Sequence, residues 1–154
     1  MAYENVNVSS LKYSLNQCLE SLSTSSSQRV LEELNRNDKW CAESKEKYKE
    51  ALDKLINTRY TELKEYLNQC LSNADQIQKY QEASAAKSSY NSQISGLNRQ
   101  LDALQTQKNS AKSDTEKASI QRQIEETKTK ISNLESQSSS SESSMNSIAS
   151  NIII

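Results

Sequence analysis

The side chains best suited to chemistry in this 154-residue sequence are three cysteines and several adjacent carboxylates. Cys18, Cys41 and Cys70 are widely spaced, form no Cys-Xaa-Xaa-Cys pair, and have no histidine in the chain to complete a metal site. They are interpreted either as small apolar residues beside helix seams or as thiols that join two chains. The carboxylate pairs Glu32-Glu33 and Glu125-Glu126 are typical of solvated helix faces.

The cysteines and carboxylates alone are not sufficient for catalysis. Acid-base or nucleophilic chemistry requires a base that is held by an orienting group in a dry pocket. The chain has no histidine and no proline, and Gly96 is its only glycine, so it has few loops from which to build a pocket. The sequence therefore predicts a protein that is not an enzyme and that binds no metal and no other cofactor.

Charge and hydropathy exclude two further classes of protein. The net charge is −1 and the two signs are mixed along the chain, so no basic stripe is available to neutralise nucleic-acid phosphates. The most apolar run is Ile152, Ile153 and Ile154, far shorter than the ~20 residues of a membrane span. The first residues have neither a basic start nor an apolar run, so we expect a cytoplasmic protein that, if secreted, leaves without a cleaved signal peptide.

Composition also indicates the fold class. Glycine and proline, the usual turn residues, are nearly absent, whereas Ala, Leu, Lys, Glu, Gln and Arg favour helix. We therefore predict an all-α fold of elongated antiparallel helical hairpins, with a long central helix flanked by an N-terminal and a C-terminal helix. The predicted domains are a helical hairpin over residues 1–88 and, over residues 89–154, an antiparallel coiled-coil extension with a Ser-rich segment and an apolar tail.

The first predicted hairpin bends at residues 35–48, which contain the only tryptophan, Trp40. Apolar residues recur every three or four positions from Val8 onward and again over residues 51–77, and Ser9 or Ser10 is expected to cap the first helix. Folding the chain back about the bend sets three leucines of the first helix near three of the second. The predicted pairs are Leu19 with Leu63, Leu15 with Leu67, and Leu11 with Leu71.

The second predicted hairpin turns at residues 109–114, where Ser113 and Glu116 have the spacing of a capping box. A kink is expected over residues 83–89, and the Ser-rich residues 136–144 are expected to be mobile. Folding about this turn pairs the apolar positions of the two helices. The predicted pairs are Leu104 with Ile120, Leu101 with Ile124, and Ile94 with Ile131.

The corner around Trp40 resembles the Trp-Xaa-Gly (WXG) family of type VII secretion substrates, which are small helical hairpins. Trp40-Cys41-Ala42 stands at the place of the motif, Tyr48 is the aromatic residue eight positions on, and residues 55–81 look like the second helix of that family. Ala42 replaces the glycine, and no tyrosine is followed four residues later by an acidic residue, the export signal found in part of the family.

The resemblance implies a companion of larger secreted toxins with related helical leader domains in Gram-positive bacteria. Seams of two helices bury little apolar surface, so we expect a helical protein partner or self-association, with no nucleic acid bound. The first functional hypothesis is an export partner or targeting chaperone. The alternative is a structural coiled-coil scaffold or spacer assembled through residues 94–134, and a helical pore-former ranks third because no apolar hairpin is present.

Overall fold

The computed structural model describes residues 3–23, 32–33, 36 and 42–152, and this part of the chain contains three long helices and no strand. We label the helices α1 (Val8–Ser23), α2 (Ala42–Ser110) and α3 (Asp114–Asn151). The long central helix α2 packs against the N-terminal helix α1 and the C-terminal helix α3. The predicted all-α class and this order of helices are confirmed.

Helix α1 begins one residue after its cap. The side chain of Asn7 accepts a 3.0 Å hydrogen bond from the backbone N–H of Ser10, and the carbonyl of Asn7 accepts the N–H of Leu11 at 3.0 Å. Asparagine is among the best N-cap residues because its side-chain oxygen satisfies an N–H of the first turn. The prediction that Ser9 or Ser10 caps this helix is therefore wrong, since both lie inside it.

Helix α2 runs for 69 residues. The predicted kink over residues 83–89 does not interrupt it, because the chain remains helical through that segment. Gly96, the only glycine in α2, is exposed, and a Cβ atom added there would meet nothing within 4 Å. The absence of proline and the high content of helix-forming residues explain the length of this element.

The turn between α2 and α3 forms where the sequence predicts it. Helix α2 ends at Ser110, and Ser113 adopts an extended backbone (φ −111°, ψ 147°) as the N-cap of α3. The Ser113 hydroxyl accepts a 3.1 Å hydrogen bond from the N–H of Glu116. Asp114 and Glu116 also place negative charge at the positive end of the helix dipole.

The described residues form two compact units, the first made of residues 7–75 and the second of residues 3–6 with 76–152. The predicted boundary at residue 88 falls inside the second unit, within an uninterrupted part of α2. That residues 1–88 form a hairpin domain of their own stays a prediction.

The first unit has a thin core. Val8, Leu67 and Ala74 are buried, whereas Leu15, Leu19 and Leu71 are half-buried. An ion pair of 2.6 Å between Lys12 Nζ and Asp75 Oδ1 joins α1 to α2 beside this core. Two helices leave one side of their seam open, so the apolar contacts here are fewer than a closed bundle provides.

The second unit is an antiparallel pairing of α2 and α3. Three polar contacts join the two helices, and in each the two residue numbers sum to 229, as an antiparallel pairing with one register requires. The contacts are Lys108 with Gln121, Asn91 with Ser138, and Lys87 with Glu142. The same seam brings Leu104, Ile120 and Ile124 into one buried cluster, against which Leu101 packs. It therefore contains the residues of the predicted pairs Leu104 with Ile120 and Leu101 with Ile124.

The apolar residues predicted to pack in the second hairpin are buried or half-buried in the second unit. Leu104, Ile120 and Ile124 form a buried cluster, against which Leu101 and Ala111 pack. Ile131 is also buried, and Ile94 is half-buried. The Ser-rich residues 136–144 are helical, and Ser138 is buried and donates a 2.9 Å hydrogen bond to Asn91 Oδ1.

Residues 3–6 lie on α2 through contacts that the sequence does not signal. The side-chain amide of Gln81 donates to the carbonyls of Tyr3 and Val6, both at 2.9 Å. The ring of Tyr3 meets that of buried Tyr80 edge to face, with centroids 5.5 Å apart. Residues 3–6 are too few to show an apolar periodicity, so their position on α2 could not be predicted from the sequence.

Candidate functional site

Exposed apolar surface is concentrated in the first unit. Among the described residues, six large apolar side chains are at least 37% exposed, and every one belongs to residues 7–75. They are Leu11 (37%), Tyr13 (66%), Tyr48 (50%), Leu55 (57%), Leu63 (44%) and Tyr66 (66%). Single exposed apolar residues are ordinary, but a group of them confined to one part of a chain indicates an interaction surface.

Four of the six lie along α2 and line up with two half-buried neighbours. We call the α2 stripe the set Tyr48, Leu52, Leu55, Leu63, Tyr66 and Cys70, with Arg59 at its centre. With 3.6 residues per turn, the six apolar members lie within about 80° of one another around the helix. The stripe is therefore one continuous face of α2.

An apolar groove of about 680 Å³ adjoins this stripe. Its α1 wall is formed by Ser14, Gln17, Cys18, Ser21 and Leu22, and its α2 wall by Tyr60, Leu63 and Leu67. Leu63 belongs to both the groove and the stripe, so the two form one surface. A smaller cleft of about 180 Å³ lies beside it, between Leu19 and Leu22 of α1 and Tyr60, Thr61 and Lys64 of α2.

The predicted packing leucines of the first hairpin divide between core and surface. Leu67 is buried, Leu15, Leu19 and Leu71 are half-buried, and Leu11 and Leu63 are exposed. The structure brings Leu63 and Leu67 to the same groove as Cys18 and Leu22 of α1. Leu63 therefore contributes to an open surface, although the sequence suggests a residue enclosed between two helices.

The turn motif is described only in part. Trp40 lies outside the described residues, as does Cys41. Ala42 is the first residue of α2, and no non-glycine residue of the described ranges has a positive φ. The backbone at this position therefore suits alanine as well as glycine. Tyr48 lies two turns into α2 and is half exposed.

The two described cysteines differ in environment. Cys18 is exposed in the wall of the groove, and Cys70 is half-buried at the end of the stripe. Both are free thiols. Within residues 3–23, 32–33, 36 and 42–152, no group of three or more His, Cys, Asp or Glu side chains is arranged to hold a metal ion.

The second unit has a different surface. Its outer α3 face carries charged and hydroxyl side chains, and its apolar residues point toward α2. One open groove of about 580 Å³ lies beside Gly96, between Leu97 and Gln93 of α2 and Lys130, Asn133 and Leu134 of α3. In the part of the chain that the structure describes, no helix has the length and apolar character of a membrane span.

Comparison of this chain with family models, with curated proteins and with solved structures finds no match. The resemblance of the corner around Trp40 to the WXG family stays a prediction from the sequence.

Proposed function

We propose that this chain is an export partner or targeting chaperone of a type VII secretion pathway. It binds a helical segment of a second protein, such as the leader domain of a secreted toxin, along the α2 stripe and the adjoining groove. The observation that carries the proposal is the confinement of all six exposed large apolar side chains to residues 7–75 of the described chain.

The shape of this surface favours a helix as the ligand. An amphipathic helix that lies in a groove presents anchors at three- and four-residue spacing, and the stripe has the matching spacing on α2. Its tyrosines add large contact area at low conformational cost, which is typical of binding hot spots. Ser, Gln and Lys side chains along the edges supply a polar rim.

The alternative, a coiled-coil scaffold assembled through residues 94–134, has less support. Leu104, Ile120, Ile124 and Ile131, on which that assembly would depend, are buried in the pairing of α2 with α3 within one chain. The large apolar side chains that remain there, such as Leu97 and Leu134 beside the groove at Gly96, are half-buried, and none is among the six exposed ones. A scaffold that assembles through this segment needs exposed apolar side chains for a second chain to cover.

The test is co-purification of the full chain with toxin leader domains from the same gene neighbourhood. Leu55→Glu and Tyr66→Glu each place a charge in the stripe at an exposed helical position and are expected to abolish the complex. Asn57→Glu is the matched control, because it adds the same charge to the exposed opposite face of the same helix. Circular dichroism should show equal helix content in all three variants.

Two results would contradict this function. One is a wild-type chain that remains alone with every leader domain tested. The other is equal loss of binding in the stripe variants and in Asn57→Glu. A secretion assay completes the test: the partner toxin should reach the medium only when this chain and the export ATPase are both present.

A further inference from the structure

The α2 stripe has a single charged member, Arg59. This residue lies four positions after Leu55 and four before Leu63, and the three side chains fall within about 80° around the helix. Both leucines are exposed, and the Arg59 side chain is 73% exposed. A helix that covers the two leucines therefore also covers the guanidinium between them.

Negative charge is scarce on this face of α2. Residues 43–70 contain six carboxylate side chains, and five of them lie about 120° or more around the helix from Arg59. The sixth, Glu62, lies about 60° from Arg59 at the edge of the stripe. The five distant carboxylates are Glu43, Glu46, Glu50, Asp53 and Glu65.

The contact with Glu62 uses one nitrogen of the Arg59 guanidinium. Arg59 Nη1 donates a 2.9 Å hydrogen bond to Glu62 Oε2. A guanidinium has five N–H donors in a planar fork, so it can also bind a second carboxylate in the bidentate geometry. A cation that is covered by a partner without such a group loses its contact with water and gains nothing in exchange, which lowers the affinity.

We propose that the helix bound by the α2 stripe carries an acidic residue in the middle of its apolar face, opposite Arg59. Apolar side chains one turn before and one turn after this acidic residue contact Leu55 and Leu63. The inference gives the chemistry of the partner in the proposed function, and it rests on that function only for the claim that the stripe binds a helix.

Arg59 thus selects among helices that the apolar residues alone would accept. Leu55, Leu63 and Tyr66 supply contact area to any amphipathic helix of suitable spacing. A basic residue opposite Arg59 is repelled, and a neutral one leaves the covered guanidinium without a second carboxylate. Discrimination between partners arises from this difference in affinity, because both the favourable pair and the unfavourable one contribute to it.

The experiment measures binding of the full-length chain to three synthetic helical peptides that differ at one residue. Each peptide is as long as residues 48–70, has leucine at the spacing of the stripe, and has Glu, Gln or Lys at its central position. Fluorescence anisotropy gives the three dissociation constants. We expect the Glu peptide to bind about fivefold more tightly than the Lys peptide, with the Gln peptide between them.

Two variants of the chain assign this preference to Arg59. Arg59→Glu should reverse the order, so that the Lys peptide binds most tightly. Lys54→Glu is the matched control, because it makes the same change of charge at an exposed position about 140° around the same helix. This control should keep the wild-type order of the three peptides.

Three results would overturn the proposal. They are equal binding of the Glu and Lys peptides to the wild-type chain, an order that Arg59→Glu leaves unchanged, and no binding of any peptide. The first comparison needs no substitution in the chain, so it does not depend on the folding of a variant. Co-purification with toxin leader domains is a separate measurement: loss of the acidic preference leaves that function standing, whereas a chain that prefers the Glu peptide but captures no leader domain contradicts the function alone.

Discussion

The hydroxyl of Ser138 donates a 2.9 Å hydrogen bond to Oδ1 of Asn91 and so joins α3 to α2 in the middle of their seam. Ser138 is only 8% exposed and continues the three- and four-residue spacing of Ile124, Thr127 and Ile131. A hydrogen bond between polar side chains of two packed helices favours one register over its neighbours. The Ser-rich segment therefore takes part in the folded hairpin.

Replacing Ser138 by alanine is expected to lower the free energy of unfolding by about 0.5–1.5 kcal/mol, the net contribution of one hydrogen bond. Urea unfolding followed by circular dichroism measures the change. Ser139→Ala is the control, because it makes the same gain in helix propensity at an exposed position of the same helix. A Ser138→Ala chain as stable as the Ser139→Ala chain would show that this bond does not stabilise the hairpin.

Ile124 is the most buried large side chain of the cluster with Leu104 and Ile120, at 3% exposure. Ile124→Ala is expected to cost about 2–4 kcal/mol, because it removes buried apolar surface and leaves a cavity. Thermal unfolding should show a lower midpoint for this variant. Leu55→Ala, at an exposed position of α2, should leave the midpoint nearly unchanged, and an equal effect of the two substitutions would contradict the assigned core.

The start of α3 depends on the Ser113 hydroxyl, which accepts the N–H of Glu116. Ser113→Ala should lower the free energy of unfolding by about 1 kcal/mol, because an N–H of the first turn loses its acceptor. Ser113→Asp should retain wild-type stability, since a carboxylate accepts the same bond and suits the positive end of the helix dipole. If both variants lose stability equally, the hydroxyl does not act as the cap.

The position of residues 3–6 on α2 depends on Gln81, whose amide reaches two carbonyls. Gln81→Ala should raise hydrogen exchange in the N-terminal peptide, including the Val6 N–H that donates to the Tyr3 carbonyl at 3.4 Å. Gln78→Ala is the control, because the side-chain amide of Gln78 donates to Glu82 on the same helix. Unchanged exchange in Gln81→Ala would mean that ring contact between Tyr3 and Tyr80 is sufficient to hold the segment.

Much of the fold follows from local sequence patterns. The spacing of Ile120, Ile124, Ile131 and Leu134 predicts α3, and Ser113 with Glu116 predicts its first residue, because both signals lie within a few residues of chain. The residues of the predicted pairs Leu104 with Ile120 and Leu101 with Ile124 meet in one buried cluster, whereas the polar contacts between α2 and α3 are not foreseen. Apolar spacing repeats every turn, so it fits several registers nearly equally well, and only the polar contacts such as Asn91 with Ser138 separate them.

The candidate binding surface, formed by the α2 stripe and the adjoining groove, could be predicted from the sequence only in part. Leu63 and Tyr48 are named from sequence as packing and corner residues, but the spacing of apolar residues on α2 does not tell which of its faces α1 covers. That depends on where α1 lies around α2, and it lies on the side of Tyr60 and Leu67. Leu55 and Tyr66 consequently remain exposed, which composition and periodicity do not show.

The sequence by itself determines that this chain is helical, where α3 begins, and which residues are apolar enough to pack. These properties arise from backbone propensities and from side chains close together in sequence. The tertiary structure alone decides which apolar residues are enclosed and which face water, because that depends on the pairing of residues distant in the chain. It encloses Ile124 and Leu67 and leaves the α2 stripe open, and the proposed function depends on that difference.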